Sequence, residues 1–387
     1  MSLSYRISAV SSIQEIGSKD WDLCGNPNGI PHDPFLTFTF LDALEKSESA
    51  AADTGWTPYH LKLEDERGTR VLAVVPMYLK NHSAGEYVFD HSWADAFERA
   101  GGRYYPKFQI SVPFTPATGR RLLIRSDQDQ KEIGAYLVRG LTKIAAETEV
   151  SSVHITFADK LQWELTGKLG FLRRTHKQYH WQNRGYDVFE DFLSDLTSKK
   201  RKNIRRERRA ALANNVKIQI LTGKDICEYH WDEFYRFYID TTSRKWGHPY
   251  LSRKFFSLIG ESMAKDILLI MCRRDGRYIA GAINFIGGEC LFGRNWGCIE
   301  EHPFLHFEVC YYQAIEYAIK HGLATVEAGA QGDHKLARGY TPSKTYSAHW
   351  ITNPSFREAV DKFLDAERQW VQEEIDSIED HSPFRRV

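Results

Sequence analysis

Between His302 and Thr341 the chain places a carboxylate, an imidazole, an ammonium and a guanidinium close together: Glu327, His334, Lys335 and Arg338. Glu327 lies in a short apolar run, Ala324 to Ala328, that has the length of a strand, and the backbone then turns at Gly329 and Gly332. A carboxylate at a strand end, facing a loop that carries His, Lys and Arg, can take a proton from an incoming nucleophile. The cations beside it can hold negative charge as it develops on a carbonyl oxygen. The competing reading is a buried glutamate satisfied by local donors beside a solvated loop.

The strongest local signal is Ser198 to Arg209, where eight of the eleven residues after Ser198 are Lys or Arg and one is Glu. Thr197 or Ser198 suits an N-cap, and Ile204, Ala211 and Leu212 give the helix a narrow apolar edge. Lys199, Lys200, Arg201 and Lys202 then fill the first turn, with Arg205 one turn on. Cations there oppose the helix dipole by a few tenths of a kcal/mol each. A helix loaded against its own dipole makes sense if an anion such as phosphate occupies that end. The alternative is a solvated charged face balanced by acids elsewhere. The whole chain is neutral, with 51 basic and 51 acidic residues, so global charge names no partner.

The elements that must position these groups follow from periodicity. Phe307 to Ile319 is apolar except at Glu308, Gln313 and Glu316, so it reads as a helix covered on most sides. His321-Gly322 stops it before the Ala324–Ala328 strand. Leu291 to Trp296 reads as a strand ending in Arg294, Asn295 and Trp296. Arg294, Trp296, His306 and Glu308 are therefore added as candidate substrate-binding residues. Upstream, strands are expected at Tyr5–Val10, Tyr59–Leu63, Val71–Leu79, Gly85–Phe89 and Val153–Phe157, with a helix over Ile133–Glu147. The C-terminal stretch Phe356–Ile378 is a charged helix, expected to pack on the second domain.

Counting reveals a repeat. Gly85-Glu86-Tyr87-Val88-Phe89 matches Gly288-Glu289-Cys290-Leu291-Phe292 at an offset of 203, and Gly170-Phe171 with His180-Trp181 matches Gly339-Tyr340 with His349-Trp350 at 169. The difference places an insert of 34 residues in the first half, near Trp93 to Pro116. Its Tyr104, Tyr105 and Lys107 are candidate substrate contacts, and Tyr104 to Pro116 is expected to line a cleft between domains.

With 387 residues the chain has room for two or three domains. No basic segment followed by an apolar core opens it, and no run reaches the length of a membrane span, so a cytoplasmic protein is expected. The six cysteines are scattered without a CxxC, which suits free thiols. No HExxH or regular His spacing points to a metal, and no G-x-S-x-G elbow presents a serine.

The pieces DPFLTFTFLDALEKS, GWTPYHL, YYPKFQISVPFTP, SKKRKNIRRERR, RKWGHPYLSRKFF, LHFEVCYYQAIEYAI and VEAGAQGDHKLARGY resemble the bacterial FemAB-like proteins of peptidoglycan biosynthesis or recognition, over nearly the whole chain. The resemblance implies tandem GNAT-type domains and transfer of an aminoacyl group from aminoacyl-tRNA, or an acyl group from acyl-CoA, to an amine. Two departures stand out. Ala337 occupies the place where many Fem-type enzymes carry a lysine, with Lys335 and Arg338 beside it. Neither Arg125–Tyr136 nor Glu300–Gln313 shows the Gln/Arg-x-x-Gly-x-Gly/Ala loop of acyl-CoA enzymes.

The expectation is an α/β protein of two GNAT-like domains, residues 1–183 with an insert near 90–125 and residues 184–387, opening with the basic helix and closing with the C-terminal helix. Glu327 or His334 takes the proton of an amine acceptor such as a peptidoglycan precursor, Lys335 and Arg338 stabilise the oxyanion, and the basic helix holds phosphate of a small molecule or charged tRNA. A non-catalytic module that recognises a cell-wall or nucleotide-linked ligand would keep the cleft and the basic helix without the proton-transfer groups. A CoA-dependent N-acetyltransferase is the third reading. Sequence-specific DNA binding is not expected, because the chain is not basic overall.

Overall fold

The computed structural model describes residues 5–245, 248–329 and 332–385. The chain divides into two compact units, Met1–Lys177 with Lys344–Glu374 and Gln178–Ser343 with Ile375–Val387. Each unit takes a piece of chain from the other half of the sequence, which departs from the expected single boundary at residue 183. The helix Pro354–Glu379, expected with the second half, belongs to the first unit through Glu374. Its Val360 and Leu364 are the reason: they are buried among Trp93, Tyr104 and Ile351.

In the first unit the strands Trp56–Pro58, Met77–Lys80, Lys107–Ile110, Ser152–Ala158 and the end of Thr341–Ile351 bond in that order. Lys107–Ile110 and Ser152–Ala158 run parallel and the flanking pairs antiparallel. Ser152–Ala158 is buried at every position, as a strand covered on both faces must be. The helix Gln130–Glu147 is capped by Asp129, whose side chain accepts from the amides of Lys131 and Glu132, a contact worth about 1 kcal/mol. It turns Ile133, Leu137, Leu141 and Ala145 into the core at helical spacing. A separate antiparallel sheet joins Tyr5–Val10, His60–Asp65, Val71–Val75 and Leu123–Ile124.

The second unit repeats the plan. Lys217–Thr222, Ile267–Arg274, Arg277–Ile286 and Cys290–Cys298 form an antiparallel run. Thr325–Glu327 then adds parallel to Cys290–Cys298, and the end of Leu172–Gln182 adds antiparallel to Thr325–Glu327. The repeat anchors at residues 180–181 and 349–350 occupy matching places: His180 pairs with Glu327 and His349 with His154.

The anchor at Gly85 does not. Gly85–Phe89 is not a strand, because the backbone turns at Gly85 and Tyr87, with φ of 80° and 59°. The counterpart of Cys290–Cys298 is Lys107–Ile110, inside the segment read as an insert. That segment is a helix, His91–Arg99, followed by this central sheet strand.

Candidate functional site

The parallel pair of the second unit is short. Cys290–Cys298 stays paired with Thr325–Glu327 over Cys290↔Thr325, Leu291↔Val326 and Phe292↔Glu327, and then continues paired with Arg277–Ile286 alone. A register shift opposite Ile283/Asn284 leaves Arg294 as an extra residue on Cys290–Cys298 and bends this strand at the same level. A notch of about 80 Å³ opens there, walled by Asn284, Gly293, Arg294, Trp296, His306, Cys310, Tyr311 and Ala328 among others. Arg294, Trp296 and His306 thus line one cavity.

The apolar helix over the notch is not regular. One turn, Leu305–Phe307, leads into a π-helical stretch, Glu308–Tyr312, before α-helix resumes at Gln313–Lys320. Such bulges occur often at functional sites because they redirect side chains. Here Cys310 and Tyr311 face the notch, while Glu308 and Tyr312 bond to the basic helix.

None of the four expected groups forms the notch wall; Glu327 adjoins the wall residue Ala328, and His334 bonds the wall residue Tyr311. Glu327 ends its strand next to the wall residue Ala328, with its side chain 12% exposed and Oε1 4.0 Å from His180 Nε2. The loop turns at Gly329 and Gly332, with φ of 78° and 119°, which favour glycine; Ala330 and Gln331 between them lie outside the described residues. The 3₁₀ turn Asp333–Arg338 follows. His334 Nε2 lies 2.9 Å from the hydroxyl of Tyr311. Burial, with Arg338 and Lys335 nearby, lowers the His334 pKa, so its ring is neutral at neutral pH and able to accept a proton. Lys335 is 1% exposed, and its Nζ donates to the Gly329 carbonyl at 2.8 Å. Burial pulls its pKa down to about 8.

Arg338 is held firmly. Its guanidinium donates to both oxygens of Glu207 at 3.0 Å and to the His334 carbonyl at 2.8 Å, and it covers the Phe307 ring at 3.5 Å. Tyr312 donates to the same Glu207. The fork shapes the loop by holding the His334 carbonyl and leaves its charge largely neutralised. Glu308 is completely buried and accepts from Arg208 and Gln313, at 2.9 and 2.7 Å. It is an internal ion pair, placed away from any ligand it was expected to meet, because a carboxylate this deep needs a compensating cation.

The basic helix runs Ser198–Ala211 with Thr197 at its N-cap. Its inner face carries Ile204, Glu207 and Ala211, all buried. Arg205 pairs with Glu190, and Arg208 with Glu308 and Glu316. Among the described residues Lys199, Lys200 and Lys202 enter no ion pair, and Arg201 reaches the Ser194 carbonyl at 3.4 Å.

Tyr104 and Lys107, expected to line a cleft, are interior. Lys107 is fully buried in the first unit and donates to Glu86 and Asp90 at 2.8 and 2.5 Å. Burial opposes its charge, yet these two carboxylates hold its pKa above the ordinary lysine value. Tyr104 donates to Asp90 at 2.6 Å, and the Tyr105 hydroxyl meets Ser83 at 2.8 Å. An ammonium with two carboxylates already bound has little left for a substrate.

Sequence reasoning missed Glu207, Tyr311 and His180 as site residues. The signal for Glu207 was visible, as the one acid in the basic run. In the sequence His180 stands out only as a repeat anchor. Tyr311 required the π-helical shift, which periodicity does not reveal.

Comparison with known proteins fits this geometry. A FemAB-like family model, described as peptidoglycan biosynthesis/recognition, matches residues 12–386. No curated protein matches the chain. Among solved structures, FemX superposes with a TM-score of 0.54 at 13% identity, covering 92% of this chain and all of FemX. L-PGS from Bacillus licheniformis gives 0.52 at 9% identity, covering 87% and 98%. The architecture is that of two tandem GNAT-like units, and the chain belongs to the FemAB-like family.

Proposed function

We propose that this FemAB-like protein is an N-acyltransferase that moves an aminoacyl or acyl group onto an amine acceptor, with a peptidoglycan precursor as the acceptor class. One observation carries the reading: the strand pair of the second unit opens a notch, and Glu327 and His334 adjoin its wall residues Ala328 and Tyr311, with Lys335 next along the turn. The donor carbonyl enters the notch. Glu327 or the neutral His334 accepts the proton of the attacking amine, directly or through water. Lys335, in its charged form, faces the oxyanion of the tetrahedral intermediate, and the protonated base returns its proton to the leaving group, the ester oxygen of an aminoacyl-tRNA or the sulfur of an acyl thioester, as the carbonyl re-forms. Arg338 acts by positioning the His334 backbone. The cations at the start of the basic helix meet phosphate, of a substrate or of the surface that carries it.

The helix that follows the splayed strand favours aminoacyl-tRNA over acyl-CoA as donor. The segment before it carries Glu300 and Glu301 and has Phe304 in the left-handed region, with no glycine amide cradle for a pyrophosphate.

The deciding experiment incubates the protein with charged tRNAs, acyl-CoAs and UDP-linked muropeptides and follows acceptor mass. A mass increase of one acyl unit, lost in Glu327→Gln, is the expected result. Saturable ligand binding without any product would favour the recognition-module reading instead.

A further inference from the structure

The charge on the basic helix is arranged in a line. Lys199, Lys202, Arg206 and Arg209 follow at steps of three, four and three, which stacks them along one helical face. All four are exposed, and among the described residues none enters an ion pair. One more step of three reaches Leu212, 41% exposed. At about 1.5 Å per residue, the row from Lys199 to Leu212 is roughly 20 Å long. It cannot turn inward, because Ile204, Glu207 and Ala211 already bury the opposite face. Val188, 56% exposed, stands two residues before Glu190, which is ion-paired to Arg205 on the flank of this helix.

We propose that this row is a docking surface for an anionic lipid bilayer. The inference rests on the phosphate reading above and names the source of the phosphate. Cations in line on a convex helix meet a flat array of lipid phosphates together, each adding to the attraction. Exposed aliphatic side chains at the end and flank of the row suit the boundary between headgroups and acyl chains. A single-stranded nucleic acid partner would instead call for exposed aromatic side chains on which bases stack. The exposed large hydrophobics flanking this helix in sequence, Val188 and Leu212, are aliphatic. Because the chain is neutral overall, a local row rather than net charge must supply the attraction. No helix among the described residues is long and apolar enough to cross a membrane, so attachment of this kind is peripheral. It would bring the notch to an acceptor carried on lipid.

The test is flotation of the full chain with vesicles of phosphatidylcholine, with and without roughly one third phosphatidylglycerol. Binding is expected on the anionic vesicles only, and raised salt should release it. The quadruple variant K199Q/K202Q/R206Q/R209Q should lose at least about tenfold in partitioning while its circular dichroism is kept. Leu212→Gln, which removes no charge, should weaken vesicle binding several-fold and leave binding of soluble polyphosphate unchanged. Equal binding to both vesicle types, or an unaffected quadruple variant, overturns the proposal. Should RNA or polyphosphate bind while anionic vesicles do not, the phosphate reading stands and the membrane inference falls. Should none of the three bind, both fall.

Discussion

Each unit sets one parallel strand pair into an antiparallel sheet, and the two differ in what fills the space at that pair. In the first, Gln109 faces His154 across the pair, and both are nearly fully buried. His154 Nδ1 lies 2.6 Å from His349 Nδ1, and His154 Nε2 reaches Ser152 at 2.7 Å. Burial drives both histidines toward the neutral state, His154 down to about 3. Lys107, Glu86, Asp90 and Tyr104 complete a closed polar cluster. In the second, the matching positions are Phe292, Glu327 and His180, and Glu327 stands 4.0 Å from His180 beside an open notch. One duplicated frame has thus turned most of its polar groups on one another, leaving Glu86 Oε1, Asp90 Oδ1 and Gln109 Oε1 without a hydrogen-bond partner, and the other keeps them beside space for a ligand. Polar residues that saturate each other specify a core, and those that border a cavity are available for chemistry.

The sharpest way to break this comparison is to exchange roles between the equivalent positions. Glu327→Gln should lower turnover by roughly 10²-fold or more while the fold persists. His154→Gln, at the matching position, should leave turnover within a few-fold and lower the melting temperature. Comparable rate losses for both variants would show that the first unit also holds reacting groups.

The two buried lysines give the next contrast. Lys107→Met removes the one cation between Glu86 and Asp90, and breaking a buried pair in this way costs about 3–5 kcal/mol. Lys335→Met removes a cation whose partner is a single carbonyl, so its stability should change by no more than about 1 kcal/mol. Its activity should nonetheless collapse. Chemical denaturation of both variants beside a turnover assay checks the pair. A Lys335→Met protein as unstable as Lys107→Met would make Lys335 structural.

pH separates the same residues more finely. The folded pKa of Lys335, about 8, lies below the ordinary 10.5, so the folded state binds fewer protons between these values. Wild-type stability should therefore rise with pH from about 8 to 10.5 relative to Lys335→Met. Activity should move the other way, because the neutral amine no longer holds an oxyanion. The kcat/KM profile should descend above about 8, and Lys335→Arg, which stays charged, should push that limb to higher pH. A limb unmoved by Lys335→Arg would assign it to another group.

The readable and unreadable parts of this chain follow the same divide. Long periodic elements were legible: the basic helix, the C-terminal helix and the strands at Tyr5–Val10 and Val153–Phe157 form, the apolar helix forms with a π-helical interruption, and the expected strand Val71–Leu79 forms as two, Val71–Val75 and Met77–Lys80, in different sheets. The strand that ends at Glu327 forms, and His334, Lys335 and Arg338 follow it on a 3₁₀ turn. What failed depended on distant partners. Gly85–Phe89 has strand composition but turns so that Glu86 can reach Lys107, 21 residues on. Glu308 and Tyr104 carry polar atoms that suit ligand contact, and nothing local announced that Arg208 and Asp90 had claimed them. The unit boundaries failed for a related reason: each unit takes a strand end from the other half of the chain, which no linker composition marks.

The smallest expected effect tests the open notch itself. Gly293 lies on the splayed strand, where an added Cβ would sit 3.3 Å from Asn284 Oδ1, 3.4 Å from the Glu327 carbonyl and 3.6 Å from Ala328 Cα. The first contact is slightly tight and the others ordinary, and its φ lies outside the left-handed region, so Gly293→Ala should fold normally. The methyl would push the two strands apart by tenths of an ångström beside Glu327. Because misplacement by a full ångström costs about 10²-fold, a shift this small should cost less than about tenfold in kcat. The burden should fall on kcat rather than on stability, since no buried polar group loses its partner. In the first unit an equally small displacement would instead meet a closed polar cluster and be read as lost stability. A Gly293→Ala enzyme with unchanged kcat and a several-degree lower Tm would place this position among the structural contacts and move the reacting centre away from the notch.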